Sequence, residues 1–183
     1  AEGHKLVGDL LGHFPCKLLI ATSNWLKMNH SATANEIIEV TQEELSRASL
    51  QKTPQEVLAV FVQPSYDLNP EVIKSSLCLA LDDVQDPGNL GTIIRLADWF
   101  GIEHIFCSTG TADVYNPKTV QATMGALARV KVHYCSLPQL IESLTDIPVY
   151  GTFLNGNIIY TESLSAHGLI VMGNEGKGVS LEV

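Results

Sequence analysis

Hydrophobic residues occur in short runs along the whole chain, and their spacing predicts alternating helices and strands. In residues 1–63 the runs are unevenly spaced. They predict helices over His4–Leu11 and from Thr41 onward, and strands over Cys16–Ala21, Glu36–Val40 and Glu56–Val62. Thr41 followed by Glu44 is typical of a capping box at the start of a helix. This part of the chain is therefore predicted to be a small α/β unit.

From Ser76 the alternation becomes regular. Strands are predicted over Leu77–Leu81, His104–Cys107, Arg129–His133, Val149–Leu154 and Leu169–Met172, and helices over Asn89–Phe100, Pro117–Leu127 and Leu137–Leu144. Such alternation indicates βαβ units and a mainly parallel sheet. The intervening residues 64–75 contain two prolines and several turn formers, which favours a linker between residues 1–63 and 76–183.

Composition argues against membrane and secreted proteins, and the net charge bears on nucleic-acid binding. The chain is 45% hydrophobic and 17% charged, and it lacks both a membrane-length apolar run and the start of a secretory signal. Its four dispersed cysteines and six histidines show no metal-ligand or disulfide spacing, so we expect no metal and a reducing, cytoplasmic location. The net charge of −9 argues against a strongly basic nucleic-acid binder but leaves room for a local basic patch.

The first candidate for chemistry is the turn at Asp86-Pro-Gly-Asn and the helix that follows it. The apolar stripe of this helix is predicted to contain Leu90, Ile93, Ile94, Ala97 and Phe100. Arg95 lies off that stripe. Glycines at 88 and 91 allow another backbone or a ligand to approach closely, and the helix amides with Arg95 suit an anion such as phosphate. The spacing alone favours a solvated helix arginine after an ordinary turn.

The second candidate is the segment Gly173–Ser180, which follows a buried strand. It contains three glycines around Glu175 and Lys177. It fails the phosphate-binding pattern G-x-x-x-x-G-K-[ST], and the first turn fails the dinucleotide pattern G-x-G-x-x-G, which argues against an oxidoreductase. Thr152 ends another predicted strand. Small residues at three strand ends indicate one shared pocket, although glycines also end strands without any function.

Together the two loops resemble the SpoU (TrmH-type) family of RNA 2′-O-ribose methyltransferases, in the SPOUT superfamily. The resemblance rests on Asp86-Pro-Gly-Asn-Leu-Gly-Thr-Ile-Ile-Arg95 and Ile170-Val-Met-Gly-Asn-Glu-Gly-Lys-Gly178. Asp113-Val-Tyr-Asn-Pro-Lys118 with Gly125-Ala126 resembles the family's middle segment. Residues 1–63 resemble its N-terminal RNA-binding domain, which is related to the L30e fold. The resemblance implies a SPOUT domain with a trefoil knot, S-adenosylmethionine as cofactor, and a homodimer with composite sites.

The resemblance also assigns roles to residues. Asn89, Arg95 and Glu175 match active-site positions, and Gly173 with the region of Gly151 and Thr152 matches cofactor-contacting positions. Arg95 is expected to bind a substrate phosphate or to accept the hydroxyl proton. Together with Lys118 and Lys177, which lie beside the loops, it is the expected contact to ribosomal or transfer RNA.

One part of the family pattern does not occur. The third motif, a Ser-Leu-Asn loop and helix, is absent before the chain ends at Val183, so we expect an incomplete pocket and knot. The main prediction is methyl transfer to a ribose 2′-hydroxyl of RNA. The alternative is a catalytically silent RNA-binding module of the same fold.

Overall fold

The computed structural model describes all residues from 1 to 183 as an alternation of helices and strands. The α-helices are α1 (His4–Leu11), α2 (Ser23–Met28), α3 (Gln42–Ala48), α4 (Pro87–Trp99), α5 (Pro117–Ala122) and α6 (Leu137–Ser143). The strands are β1 (Cys16–Thr22), β2 (Glu36–Val40), β3 (Val57–Phe61), β4 (Leu77–Leu81), β5 (His104–Cys107), β6 (Lys131–Tyr134), β7 (Val149–Gly151) and β8 (Gly168–Met172). Short 3-10 turns occupy Pro70–Lys74, Ala126–Ala128 and Ile159–Thr161.

The strands form two separate sheets. The N-terminal sheet has the order β2-β1-β3, with β1 parallel to β2 and antiparallel to β3. The C-terminal sheet has the order β6-β5-β4-β8-β7, and all of its pairings are parallel. The prediction of an α/β chain with a mainly parallel C-terminal sheet is therefore confirmed.

Several predicted elements are shorter than their patterns indicate. The helix predicted to reach Leu127 ends at Ala122, because Met124 and Gly125 have φ angles of 52° and 92° that an α-helix does not accept. The strand predicted to reach Leu154 ends at Gly151. The prediction that Phe100 belongs to the apolar stripe of α4 is wrong, since Phe100 follows the helix and is 74% exposed.

One hydrophobic core joins the unit built on the N-terminal sheet to the unit built on the C-terminal sheet. Leu6 and Leu10 of α1 pack in the same buried cluster as residues of β4, α4 and β5. Because α1 also packs on β3, it fixes the N-terminal unit against the C-terminal one. None of the helices is both long and apolar enough to cross a lipid bilayer.

Gly8 within α1 and Gly3 at its N-cap give a test of the helix that joins the two units. Gly8 lies within α1 with open space where a Cβ would stand, so Gly8→Ala is expected to raise the free energy of unfolding by about 0.5–1 kcal/mol. Gly3 has φ 98°, and a Cβ there would lie 2.7 Å from Gln55 Oε1, so Gly3→Ala is expected to lower it. Urea unfolding measures both. Changes of the same sign in the two variants would contradict the described geometry of α1.

Candidate active site

The two glycine-containing loops meet at the carboxyl ends of two neighbouring strands. Leu81 pairs with Met172 where β4 and β8 end. The next amide, that of Asp82, donates a hydrogen bond to the Met172 carbonyl at 2.8 Å. Ligands of open parallel sheets bind outside such carboxyl ends. The register of β4 and β8 therefore places both loops on the side of the sheet where a ligand is expected.

The first loop ends in a capped helix start. The Asp86 carboxylate accepts the Asn89 amide hydrogen at 2.8 Å and contacts Lys118 Nζ at 2.9 Å. The hydrogen bond from Lys118 and then that from Asn89 hold the pKa of Asp86 below its usual value. Gly91 lets α5 pack closely on α4, because a Cβ there would lie 2.7 Å from the Thr119 carbonyl oxygen.

The second loop is a closed turn. Asn174 and Gly178 exchange two backbone hydrogen bonds of 2.9 and 2.8 Å, and Gly178 has φ 75°. Inside the turn, Asn174 Oδ1 accepts the amides of Gly176 at 2.9 Å and Lys177 at 3.1 Å. At Gly173 an added Cβ would overlap the backbone of Gly178. The turn therefore requires a residue without a side chain at position 173.

Two of the three predicted active-site residues are in contact. Asn89 Nδ2 donates a hydrogen bond to Glu175 Oε2 at 3.2 Å, which links the helix start to the tip of the second loop. Arg95 lies exposed farther along α4, and its side chain makes no hydrogen bond or ion pair. The structure thus shows a preformed amide–carboxylate pair, and six residues farther along α4 a guanidinium group that has no partner within the chain.

The two predicted lysines lie beside carboxylates. Lys118 pairs with Asp86 as described, and Lys177 Nζ lies 3.8 Å from Asp83 Oδ2. Both lysines are exposed. Their charge is therefore partly balanced, and Arg95 is the predicted RNA-contacting cation that lacks an ion-pair partner.

A cavity of about 770 Å³ lies between the second loop and the segment after β7. Thr152, Gly173, Glu175 and Lys177 all line it. The Thr152 side chain donates a hydrogen bond to the Val171 carbonyl at 3.1 Å. Gly151 does not line this cavity but a smaller neighbouring one of about 510 Å³, which Thr152 also lines.

A second cleft, of about 790 Å³, lies between the N-terminal unit and α5. It extends from Gly88 and Lys118 beside the first loop to Leu50 and Gln51 in the N-terminal unit. No group of three or more His, Cys, Asp or Glu side chains is arranged to hold a metal ion.

Sequence reasoning did not single out three residues that hold the loops together. They are Asp82, whose carboxylate accepts the Ser180 amide hydrogen, and Asp83 and Asn174, which are hydrogen-bonded to each other. Asn174 gives a recognisable signal, since an asparagine before a glycine-containing turn commonly accepts the turn's amides with its own side chain. The aspartates give none, because their partners lie far away in the sequence.

Comparison with known proteins decides the family. Residues 76–183 match the family model described as SpoU rRNA Methylase family, and residues 1–59 match that of an MRM3-like substrate binding domain. The chain belongs to the SpoU family. The resemblance inferred from the two loops is therefore confirmed. The exact limits of the linker at 64–75 stay a prediction.

Curated relatives support the same family. The 23S rRNA (guanosine(2553)-2′-O)-methyltransferase RlmP of Bacillus subtilis is 34% identical over 143 residues, covering 76% of this chain and 56% of RlmP. Human mitochondrial rRNA methyltransferase 3 is 30% identical over 140 residues, covering 72% of this chain and 33% of the relative. This SpoU chain thus spans from a third to about half of the length of these relatives.

Solved structures share the whole fold. A Porphyromonas gingivalis protein assigned to the TrmH family of RNA methyltransferases superposes with TM-score 0.88 and 43% identity, covering 100% of this chain and 74% of that one. The SpoU methyltransferase AviRb of Streptomyces viridochromogenes, solved with AdoMet, superposes with TM-score 0.84 and 26% identity, covering 99% and 75%. The SPOUT fold prediction is confirmed, and the trefoil knot stays a prediction.

The closed turn of this SpoU chain can be tested with matched glycines. Gly173→Ala is expected to open the turn, because its Cβ would overlap backbone atoms, whereas a Cβ at Gly176 meets Asn174 Oδ1 at an ordinary 3.6 Å. Amide hydrogen exchange over residues 174–180 should accelerate by on the order of tenfold or more in Gly173→Ala and change little in Gly176→Ala. Equal exchange in the two variants would refute the closed turn.

Proposed function

We propose that this protein transfers a methyl group from S-adenosylmethionine to a ribose 2′-hydroxyl of RNA. The observation that carries the proposal is the hydrogen bond between Asn89 and Glu175, which brings together the two segments that resemble the family's active site. Relatives named as 2′-O-methyltransferases of 23S rRNA support ribosomal RNA over transfer RNA as the substrate.

The residues around the larger loop cavity suit this cofactor. Its volume of about 770 Å³ lies within the roughly 300–1,000 Å³ usual for small-molecule sites. Bare backbone at Gly173 and Gly176 permits a flat ring to lie against the chain, and Phe153, Leu154 and Val179 add apolar surface. Thr152 and Gly173 would hold the cofactor there, with Gly151 shaping the adjoining wall. When bound, it supplies an activated methyl group.

The chain's own task is then mainly alignment. Holding two reactants in line replaces a bimolecular encounter and lowers the barrier substantially. Asn89 orients Glu175, which lines the cavity. Arg95 holds a phosphate of the RNA backbone, since a guanidinium binds phosphate with two parallel hydrogen bonds. Arginine keeps its proton at neutral pH, which favours this clamp over a role as the base.

The cleft between the two units is the proposed path of the RNA. It connects Gly88 and Lys118 at the site with Leu50 and Gln51 in the unit that matches a substrate-binding domain. Its lining is largely apolar and includes the amide side chains of Gln51, Asn116 and Gln121, which suits unpaired bases better than a phosphate backbone. Lys118 and Lys177 contribute positive charge beside the loops, each shared with an aspartate.

Arg95 gives the direct test of the proposed transfer. We expect Arg95→Ala to lower the rate of methyl transfer by about 100-fold or more, the size seen when one charge-stabilising group is lost. Its affinity for S-adenosylmethionine, measured by calorimetry, should stay within about twofold, because Arg95 does not line the cofactor cavity.

Two further variants sharpen this test. Arg95→Lys keeps the charge but cannot form two parallel hydrogen bonds to a phosphate, so an intermediate rate of methyl transfer is expected. Arg47→Ala removes an exposed arginine that pairs with Glu43 on α3 and should leave transfer unchanged. Full activity of Arg95→Ala would end the proposed role.

We also propose a homodimer that buries the exposed face of α4. Leu96, Trp99 and Phe100 are 51, 82 and 74% exposed and surround the outer end of this helix. Large apolar side chains that cluster on a surface commonly mark an interaction site. Because Arg95 directly precedes Leu96 on the same helix, a second copy seated there would lie next to Arg95.

The dimer is tested by a charge on this face. Sedimentation velocity should show a dimer for the natural sequence and a monomer for Trp99→Asp, since a carboxylate is costly to bury without a partner. Met28→Asp places the same charge on an exposed apolar residue of the N-terminal unit and should remain dimeric. A dimer that persists in Trp99→Asp would exclude this interface.

A reducing compartment such as the cytoplasm is the proposed location. The four cysteines are free and none pairs with another. Burial raises the pKa of the Cys107 thiol to about 12, so this thiol stays protonated and unreactive at neutral pH.

A further inference from the structure

We propose that Asn174 and Asp82 are positioning residues that clamp both ends of the second loop to the first, and so set the Asn89–Glu175 contact. This inference rests on the proposed methyl transfer. Neither residue needs to touch substrate or cofactor to act in this way. Both would act through Glu175, which lies between the two clamped ends of the loop.

The start of the loop is clamped by the Asn174 side chain. Its Nδ2 donates a hydrogen bond to the Asp83 carbonyl at 2.7 Å, across a separation of 91 residues. Asp83 presents this carbonyl from a left-handed backbone conformation with φ 55°, and its own amide donates to Ser108 Oγ at 2.9 Å. The Asp83 carbonyl is therefore itself held in place by Ser108, the residue that follows β5.

The end of the loop is clamped by Asp82. Its carboxylate accepts the Ser180 amide hydrogen at 2.8 Å, across 98 residues. Asp82 is only 5% exposed, so this carboxylate is directed into the protein rather than toward solvent. A buried acceptor that loses its partner costs more than the bond alone, so the contact strongly favours one loop position.

The two clamps matter because Glu175 has little else to hold it. It is exposed, and its hydrogen bond is the one from Asn89. Residues 82 and 83 directly follow β4 and lead into the first loop, so a second loop anchored to them is held in register with the first. Because the register of β4 and β8 is fixed, the two clamps also fix the position of the Glu175 carboxylate.

The Asn174 side chain both accepts and donates hydrogen bonds, and one substitution removes only the donor. Its Oδ1 accepts the amides of Gly176 and Lys177 within the turn, whereas its Nδ2 binds Asp83. Asn174→Asp keeps the acceptor for the turn but loses the donor and places a carboxylate against the Asp83 carbonyl. It should therefore leave the turn closed and release it from the first loop.

The test uses steady-state methyl transfer by the full chain. We expect Asn174→Asp to lower kcat about tenfold with a KM for RNA within about threefold of the natural sequence, because alignment is lost and not RNA binding. Asp82→Ala should show the same loss, and Asp82→Asn, which keeps an acceptor for Ser180, should recover most of it. Asn69→Asp makes the same chemical change at a remote turn cap and should have no effect.

A second readout does not depend on activity. Hydrogen exchange of the Ser180 amide should accelerate about tenfold in Asp82→Ala and in Asn174→Asp but not in Asn69→Asp. Unchanged exchange and unchanged kcat in Asn174→Asp would overturn the clamp. If the natural sequence transfers no methyl group while the exchange results hold, the proposed function fails and the clamp stands as a structural contact.

Discussion

The parallel pairing of β4 with β8 is the contact on which the whole site depends. It aligns Leu81 with Met172, so the chain leaves both strands at the same place although about 90 residues lie between them. The Asn89–Glu175 hydrogen bond requires this register. A slip of one residue would turn the side chains of a strand to the opposite face and separate the loops.

Charge places a second constraint on any RNA-binding role. The protein has a net charge of −9, and both lysines beside the loops lie next to aspartates. Long-range attraction to phosphates therefore contributes little, and recognition must come from shape and from local contacts. A largely apolar cleft that includes amide side chains, and a single exposed guanidinium without an ion-pair partner on α4, fit that requirement better than a broad basic surface would.

The sequence was most informative where chemistry is local. Thr41 and Glu44 form the predicted capping box, and the strand over Leu77–Leu81 has the predicted bounds, because both depend on neighbouring residues. The predictions for Phe100 and for the end of α5 are wrong, because residues with left-handed backbone angles, Gly101 after α4 and Met124 with Gly125 after α5, end both helices before the periodicity does. Asn174 and its partner Asp83 could not be paired from sequence, because that contact exists only once β4 and β8 have joined.

The central claim is that these joined loops support methyl transfer to ribose. It is tested most directly by incubating the protein with methyl-labelled S-adenosylmethionine and ribosomal RNA, followed by alkaline hydrolysis. A methylated 2′-oxygen cannot assist cleavage of the adjacent phosphodiester, so we expect the label in alkali-resistant dinucleotides. Label in single nucleotides would place the methyl group on a base. The absence of label, with RNA binding intact, would instead identify a silent RNA-binding module.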